Sequence, residues 1–202
     1  MSNGGPNVST RAEQREHTRL TLLRESRRLF ATEGYGAVGL SEIVAAAGVT
    51  KGALYHHFTS KAELFRAVLE QVQQEVGERV AAAGDAAADP WDQLVAGCRA
   101  FLTVSTDPAY QRIMLVDGPA VLGWAEWRRL DADNSARHLA EALTELIDGG
   151  VIAAQPVEPL TRLLSGAMNE AAQWLAAAGG PRELADTQAA LSGLLEGLRA
   201  RT

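Results

Sequence analysis

Apolar residues recur at helical spacing along nearly the whole chain. Between Arg11 and Glu33, the residues Leu22, Ser26, Leu29, Phe30 and Glu33 fall at i, i+4, i+7, i+8 and i+11, so three apolar residues and one small one share a stripe. Gly34, tolerant of a left-handed cap, ends that pattern. The segment SEIVAAAG then admits at most about two turns before Gly48. VTKGALYHHF follows as a second short helix, with Thr50 placed to cap it through its hydroxyl. Ser60-Lys61-Ala62-Glu63 has the spacing of a capping box, Ser60 accepting from the amide of Glu63 and Glu63 reaching back to the amide of Ser60. It opens a long helix through Leu64, Phe65, Val68, Leu69 and Val72.

The run AAAGDAAADP at residues 81–90 reads as a loop between two parts of the chain. Beyond it, Asp89-Pro90 and Asp107-Pro108 each place a capping side chain before a first-turn proline. Breaks at Asp117-Gly118-Pro119, Gly149-Gly150, Gln155-Pro156 and Gly179-Gly180-Pro181 leave helices near 91–105, 108–116, 119–148, 157–178 and 182–200. No stretch alternates as a strand would. The pattern predicts an all-α fold of about nine helices: a three-helix N-terminal domain over residues 11–60 and a larger helical bundle over 61–202. Residues 1–10, rich in Gly, Asn and Ser, read as a disordered tail.

Composition sharpens this picture by exclusion. At 202 residues the chain can bury a core without disulfides, and its single cysteine, Cys98, rules out an intrachain bridge and a cysteine zinc cluster. Cys98 reads as a small buried hydrophobe. No metal or cofactor is expected. The N-terminus lacks the apolar core of a signal peptide and no 18-residue apolar stretch exists, so a cytoplasmic protein without a membrane partner is expected. The net charge of −6 hides an asymmetry: residues 1–70 sum to +2 and residues 71–202 to −8. A polyanion would meet the first segment.

Two short helices joined by a glycine turn on a longer helix have the form of a helix-turn-helix, whose second helix enters the major groove, about 12 Å wide. Ile43, Val44, Ala47, Val49 and Leu54 supply its apolar contacts, while Ala45, Ala46 and Gly48 keep the turn slim. The second helix displays Thr50, Lys51, Gly52, Ala53, Tyr55, His56 and His57. Lys51 suits guanine or a phosphate, Gly52 and Ala53 permit close backbone approach, and Tyr55 suits a phosphate, a stacked base or the core. Lys61 opposes the macrodipole of its own helix, which a phosphate contact would explain. Arg11, Arg15 and Arg19, at i, i+4 and i+8, form either a phosphate-facing stripe or a solvated face. Phe58 belongs to the core.

The segment Leu22–Leu69 resembles the TetR family. The resemblance rests on LF-x-x-x-GY from Leu29 to Tyr35, on the unbroken stretch Ile43–Phe58 (IVAAAGVTKGALYHHF), and on Ser60-Lys61-Ala62-Glu63-Leu64. It implies DNA-contact roles for Lys51, Gly52, Ala53, Tyr55, His56 and Lys61, with Ser41 and Thr50 beside them. The chain departs from the family at Val38-Gly39, where Thr or Ser commonly opens the second helix, and at Ser41, often Arg. The function implied is that of a transcriptional regulator and not an enzyme: a homodimeric repressor, released from a palindromic operator by a small, largely apolar effector. A small helical enzyme and a protein-binding adaptor with this fold are the rival readings.

Leu160, Leu163, Leu164, Ala167, Ala171, Trp174 and Leu175, then Leu184, Leu191, Leu194, Leu195 and Leu198, recur at helical spacing. With Ser165, Gly166 and Gly193 permitting close approach, these two helices suit a four-helix dimer interface or an ordinary core. Candidate effector-pocket residues are Phe101, Tyr110, Met114, Trp124, Trp127, Met168 and Trp174, with Asn169, Arg112 or Gln173 as polar anchors.

Overall fold

The computed structural model describes residues 10–200, which divide into two compact units meeting in sequence at Val68 and Leu69. The tail expected over residues 1–10 lies outside the described residues except for Thr10. No helix among the described residues is long and apolar enough to cross a membrane.

The first unit contains α1 (Arg11–Glu33), α2 (Leu40–Ala47), α3 (Lys51–Tyr55) and the opening turns of α4 (Lys61–Asp85). Thr10 caps α1 reciprocally: its hydroxyl accepts from the Glu13 amide at 3.2 Å while its own amide donates to Glu13 Oε2 at 2.7 Å. Gly39 has no side chain to cap α2, and only the return arm forms, its N–H donating to Glu42 Oε2 at 3.4 Å. Gly48 closes α2 in the left-handed region at φ 64°, a geometry a Cβ would strain. Thr50 Oγ1 accepts from the Ala53 amide at 3.1 Å, which starts a helix of only five residues. Such a helix cannot stand alone. Leu22, Phe30, Ile43, Leu54, Leu64 and Phe65 form the fully buried core beneath it, and the ring of Phe65 lies edge-on to those of Phe30 and Tyr35 at 5.3 and 5.1 Å.

The cap of α4 forms with one change. Ser60 Oγ accepts from the Glu63 amide at 3.1 Å as expected, but Glu63 Oε2 takes both the amide and the hydroxyl of Thr59, each at 2.6 Å. Thr59 offers two donors where the Ser60 amide offers one.

The second unit holds the remainder of α4 with α5 (Pro90–Ser105), α6 (Pro108–Gln111), a π-helical turn (Arg112–Asp117), α7 (Gly118–Leu122), α8 (Trp124–Ala132), α9 (Ser135–Asp148), α10 (Val157–Ala178) and α11 (Pro181–Glu196). No strand forms among the described residues; one isolated antiparallel bridge joins Ile152 to Arg199. Among the described residues there are eleven α-helical segments where the pattern predicts about nine. The expected loop over 81–90 is helical as far as Asp85, since alanine is the best helix former. The expected helix 119–148 is broken at Gly123, with φ 79°, and again at Asn134.

At Asp117-Gly118-Pro119 the expected break is replaced by continuous winding. Pro119 has no N–H and its ring would crowd the carbonyl four residues back, and the wider π turn accommodates it. The Gly118 N–H therefore bonds Ile113 O, which leaves the Met114 carbonyl without its α-helical donor. The indole N–H of fully buried Trp127 donates to that carbonyl at 2.7 Å. This bond anchors α8, whose next turn carries Asp131.

Candidate nucleic-acid interface and effector cavity

On the first unit, Lys51, Gly52 and Tyr55 stand exposed on α3 and His56 at its C-terminal cap, with Thr50 exposed at its N-terminal cap and Ser41 exposed on the first turn of α2. Tyr55 is 49% exposed and Phe58 buried, so the surface and core members of this segment separate cleanly. A Cβ built on Gly52 would find only Thr50 Oγ1, at 3.9 Å. The helix therefore has no packing reason to keep glycine there. Ala53 is half-buried and borders a shallow groove with His56, His57, Gln14, Arg15 and Thr18. A second depression is bounded by Arg11, Arg15, Glu16, Arg19 and His57. The arginine stripe of α1 thus adjoins the end of α3, which extends the cationic surface beyond Lys51. Burial, then the charges of Arg15 and Arg19, hold His57 below the usual imidazole range, favouring its neutral form.

Lys61 is placed differently from the other candidates. Its ammonium donates to the Tyr35 carbonyl and lies 4.1 Å from the centroid of the Tyr35 ring. In this structure it ties the start of α4 to the turn after α1.

The second unit carries a half-open cavity of about 220 Å³ among the last turns of α4 and helices α5, α8, α9 and α10. Of the sequence candidates, Phe101 and Met168 line it. Tyr110 and Met114 are buried away from its wall, Tyr110 donating its hydroxyl to Glu75 Oε2 at 2.9 Å. Trp127 serves the π turn instead, and Trp124 and Trp174 stand on the surface, 63% and 50% exposed. Arg112 and Gln173 also lie outside the lining. Asn169 is buried just behind the wall, its amide donating to Asp131 Oδ2 at 3.3 Å and Ser165 Oγ at 3.4 Å.

The sequence reading missed the cavity's polar side. Asp131, only 6% exposed, lies on the wall with Ser135, His138, Glu141, Glu145 and Ser165. Its Oδ2 collects Arg128 Nη1 at 2.7 Å, Ser165 Oγ at 3.1 Å and the Asn169 amide. Burial raises the Asp131 carboxyl above the ordinary carboxylate range, against the lowering effects of Arg128, Ser165 and Asn169. Leu94, Cys98, Phe101, Leu139 and Met168 supply the apolar side. Burial pushes the Cys98 thiol up to about 12, so it is an inert part of that surface.

Comparison with known proteins bears on both regions. Residues 91–198 match the family model described as Tetracyclin repressor-like, C-terminal domain, and residues 22–68 match that of Bacterial regulatory proteins, tetR family. The chain is 40% identical to a TetR-family transcriptional regulator of Pectobacterium atrosepticum, covering 96% of this chain and 99% of that one with a TM-score of 0.78. The Transposon Tn10 TetC protein of Escherichia coli is 27% identical over 160 residues, 79% of this chain and 81% of its own. The fold is also that of RolR, solved with resorcinol, at a TM-score of 0.72, 20% identity, and coverage of 95% of this chain and 97% of that one.

Proposed function

Because the chain belongs to the TetR family of DNA-binding transcriptional regulators, we propose that it acts as a homodimeric repressor, holding a palindromic operator until a small molecule fills its cavity. The families and relatives it matches are regulators, not enzymes. The observation that carries the operator reading is the exposed row Lys51, Gly52 and Tyr55, with His56 at the C-terminal cap, on a helix fixed by Thr50 and Leu54. Lys51 and Tyr55 reach base edges and phosphates, Gly52 and Ala53 admit the DNA backbone, and Ser41, Thr50 and His56 flank the contact. Arg15 and Arg19 add phosphate contacts from α1. Lys61 acts chiefly by positioning the turn at Tyr35. The functional division is a DNA-reading part over 11–60 and an effector-binding and dimerising part over 61–202, working in the bacterial cytoplasm.

The dimer reading rests on apolar side chains left exposed on the last two helices. Leu163 and Trp174 on α10 and Leu194 on α11 are 72%, 50% and 63% exposed, an apolar surface costly to leave in water. Two protomers paired there present two recognition helices to successive major grooves about 34 Å apart. An effector then needs only to favour a conformation whose helices no longer match that spacing.

Fluorescence anisotropy with DNA from the gene's own promoter region, across a salt series, tests this reading. Sequence-specific binding with a steep salt slope is the expected result; equal affinity for scrambled DNA refutes it. Sedimentation at micromolar concentration should give a dimer, and a monomer alone removes the palindrome with it.

A further inference from the structure

From the chemistry of the cavity wall we propose that the effector is a compact organic cation, an aromatic or aliphatic amine whose protonated nitrogen meets Asp131. This rests on the reading of the cavity as the effector site. It replaces the largely apolar ligand that the sequence suggested.

Four carboxylates line the cavity, those of Asp85, Asp131, Glu141 and Glu145, and no lysine or arginine does. Two of the four have charged partners outside the lining. Arg128 meets Asp131, and Arg137 meets Glu141 at 2.9 Å; His138, itself on the wall, has its Nδ1 3.4 Å from Glu141. Asp85 and Glu145, both exposed, have no ion-pair partner among the described residues, so the rim of the cavity carries a net negative charge around the one buried carboxylate, Asp131. That charge favours the approach of a cation over an anion.

The deepest of the four supplies the contact. All three donors to Asp131 converge on Oδ2, and Oδ1 accepts no hydrogen bond. Asp131 as a residue is only 6% exposed, and an ammonium N–H reaching Oδ1 meets both that oxygen's open hydrogen-bonding capacity and the carboxylate's charge. No group of three or more metal-ligating side chains forms among the described residues, which directs the inference to an organic cation and not a metal ion. In the same lining, Leu94, Cys98, Phe101, Leu139 and Met168 offer an apolar surface for a ring or alkyl body. The volume of about 220 Å³ exceeds the roughly 150 Å³ known to admit benzene, leaving room for a ring and a short aminoalkyl arm.

Calorimetric titration with benzylammonium, 2-phenylethylammonium and 3-phenylpropylammonium, each set against the alcohol and carboxylate of equal length, tests the proposal. The ammonium member should bind at least about tenfold tighter than either isostere, and Asp131→Asn should lower its affinity by about tenfold or more. If the variant does not fold, the wild-type preference among the isosteres decides alone. Equal or tighter binding of the alcohol or carboxylate overturns the proposal, as does failure of all nine compounds to saturate the site. Anisotropy on promoter DNA in the same preparations separates the two readings. Intact operator binding with no amine preference sinks this proposal only. Amine binding that leaves the DNA complex undisturbed supports the cation site and removes its role as effector site.

Discussion

Replacing Gly52 with alanine should move stability and DNA binding in opposite directions. In the free protein the added methyl meets only Thr50 Oγ1, at 3.9 Å, an ordinary contact. Position 52 lies inside α3, where alanine is favoured over glycine by about 0.8–1 kcal/mol in a helix interior and by about 0.4–1 kcal/mol through the unfolded chain. Those are two views of one effect, so the gain is about 0.4–1 kcal/mol. At about 2–4 °C per kcal/mol for a chain of this size, Tm should rise by about 1–4 °C. On DNA the same methyl occupies the space through which the backbone of α3 approaches the groove. An overpacked contact costs about 1–3 kcal/mol, which at 1.4 kcal/mol per tenfold weakens each half-site by about 5- to 150-fold. Thermal unfolding followed by circular dichroism reads the first effect, and anisotropy on promoter DNA the second. An alanine variant that binds within twofold of wild type refutes the placement of α3 against DNA. A fall in Tm refutes the packing argument.

Gly118→Ala should be destabilising instead, because its Cβ would lie 2.9 Å from Trp127 Cδ1 and 3.1 Å from the Ile113 carbonyl; about 1–3 kcal/mol is expected in urea unfolding, and an unchanged urea midpoint would contradict that packing. Lys61→Met removes the hydrogen bond to Tyr35 and the charge over its ring, so a Tm lower by about 2–8 °C is expected, with the salt slope of DNA binding unchanged, where loss of a phosphate contact in each protomer would lower it by about two units. Asp131, raised in the folded state, contributes stability below its ordinary 3.8 that is lost as pH rises through its native value. The Tm of Asp131→Asn relative to wild type should therefore climb between pH 3.5 and 7, and a decline would show that Arg128 outweighs burial. Cys98 should resist iodoacetamide at pH 8 in the native protein and react once unfolded; rapid native labelling contradicts its burial.

The N-terminal unit was legible because its determinants are local. Thr50 capping Ala53, Gly48 in the left-handed region and the burial of Ile43 and Leu54 all involve residues within a dozen positions of one another. Local signals also misled where tertiary structure overrode them: Pro119 reads as a stop, yet a π turn and a distant indole make it tolerable. The cavity was barely legible for a related reason. Periodicity singled out large apolar side chains, and Trp127 and Tyr110 do lie buried, but in filled space. What leaves space is smallness: Gly84, Gly97, Ala136 and Ser165 come from four different helices, and nothing in the linear order shows that they converge. Asp131 gave no signal because its partners Ser165 and Asn169 are more than thirty residues away.

The four tryptophans make the protein its own optical gauge. Trp91 and Trp127 are sealed from solvent, while Trp124 and Trp174 stand in it, so an aqueous quencher divides their emission into two populations without any added label. Trp174 sits on α10 with the exposed Leu163, while Trp124 sits on α8 with its ring centroid 5.0 Å from that of the buried Trp127. Pairing of protomers would move one emitter from the quenchable class to the shielded one, and dilution would return it.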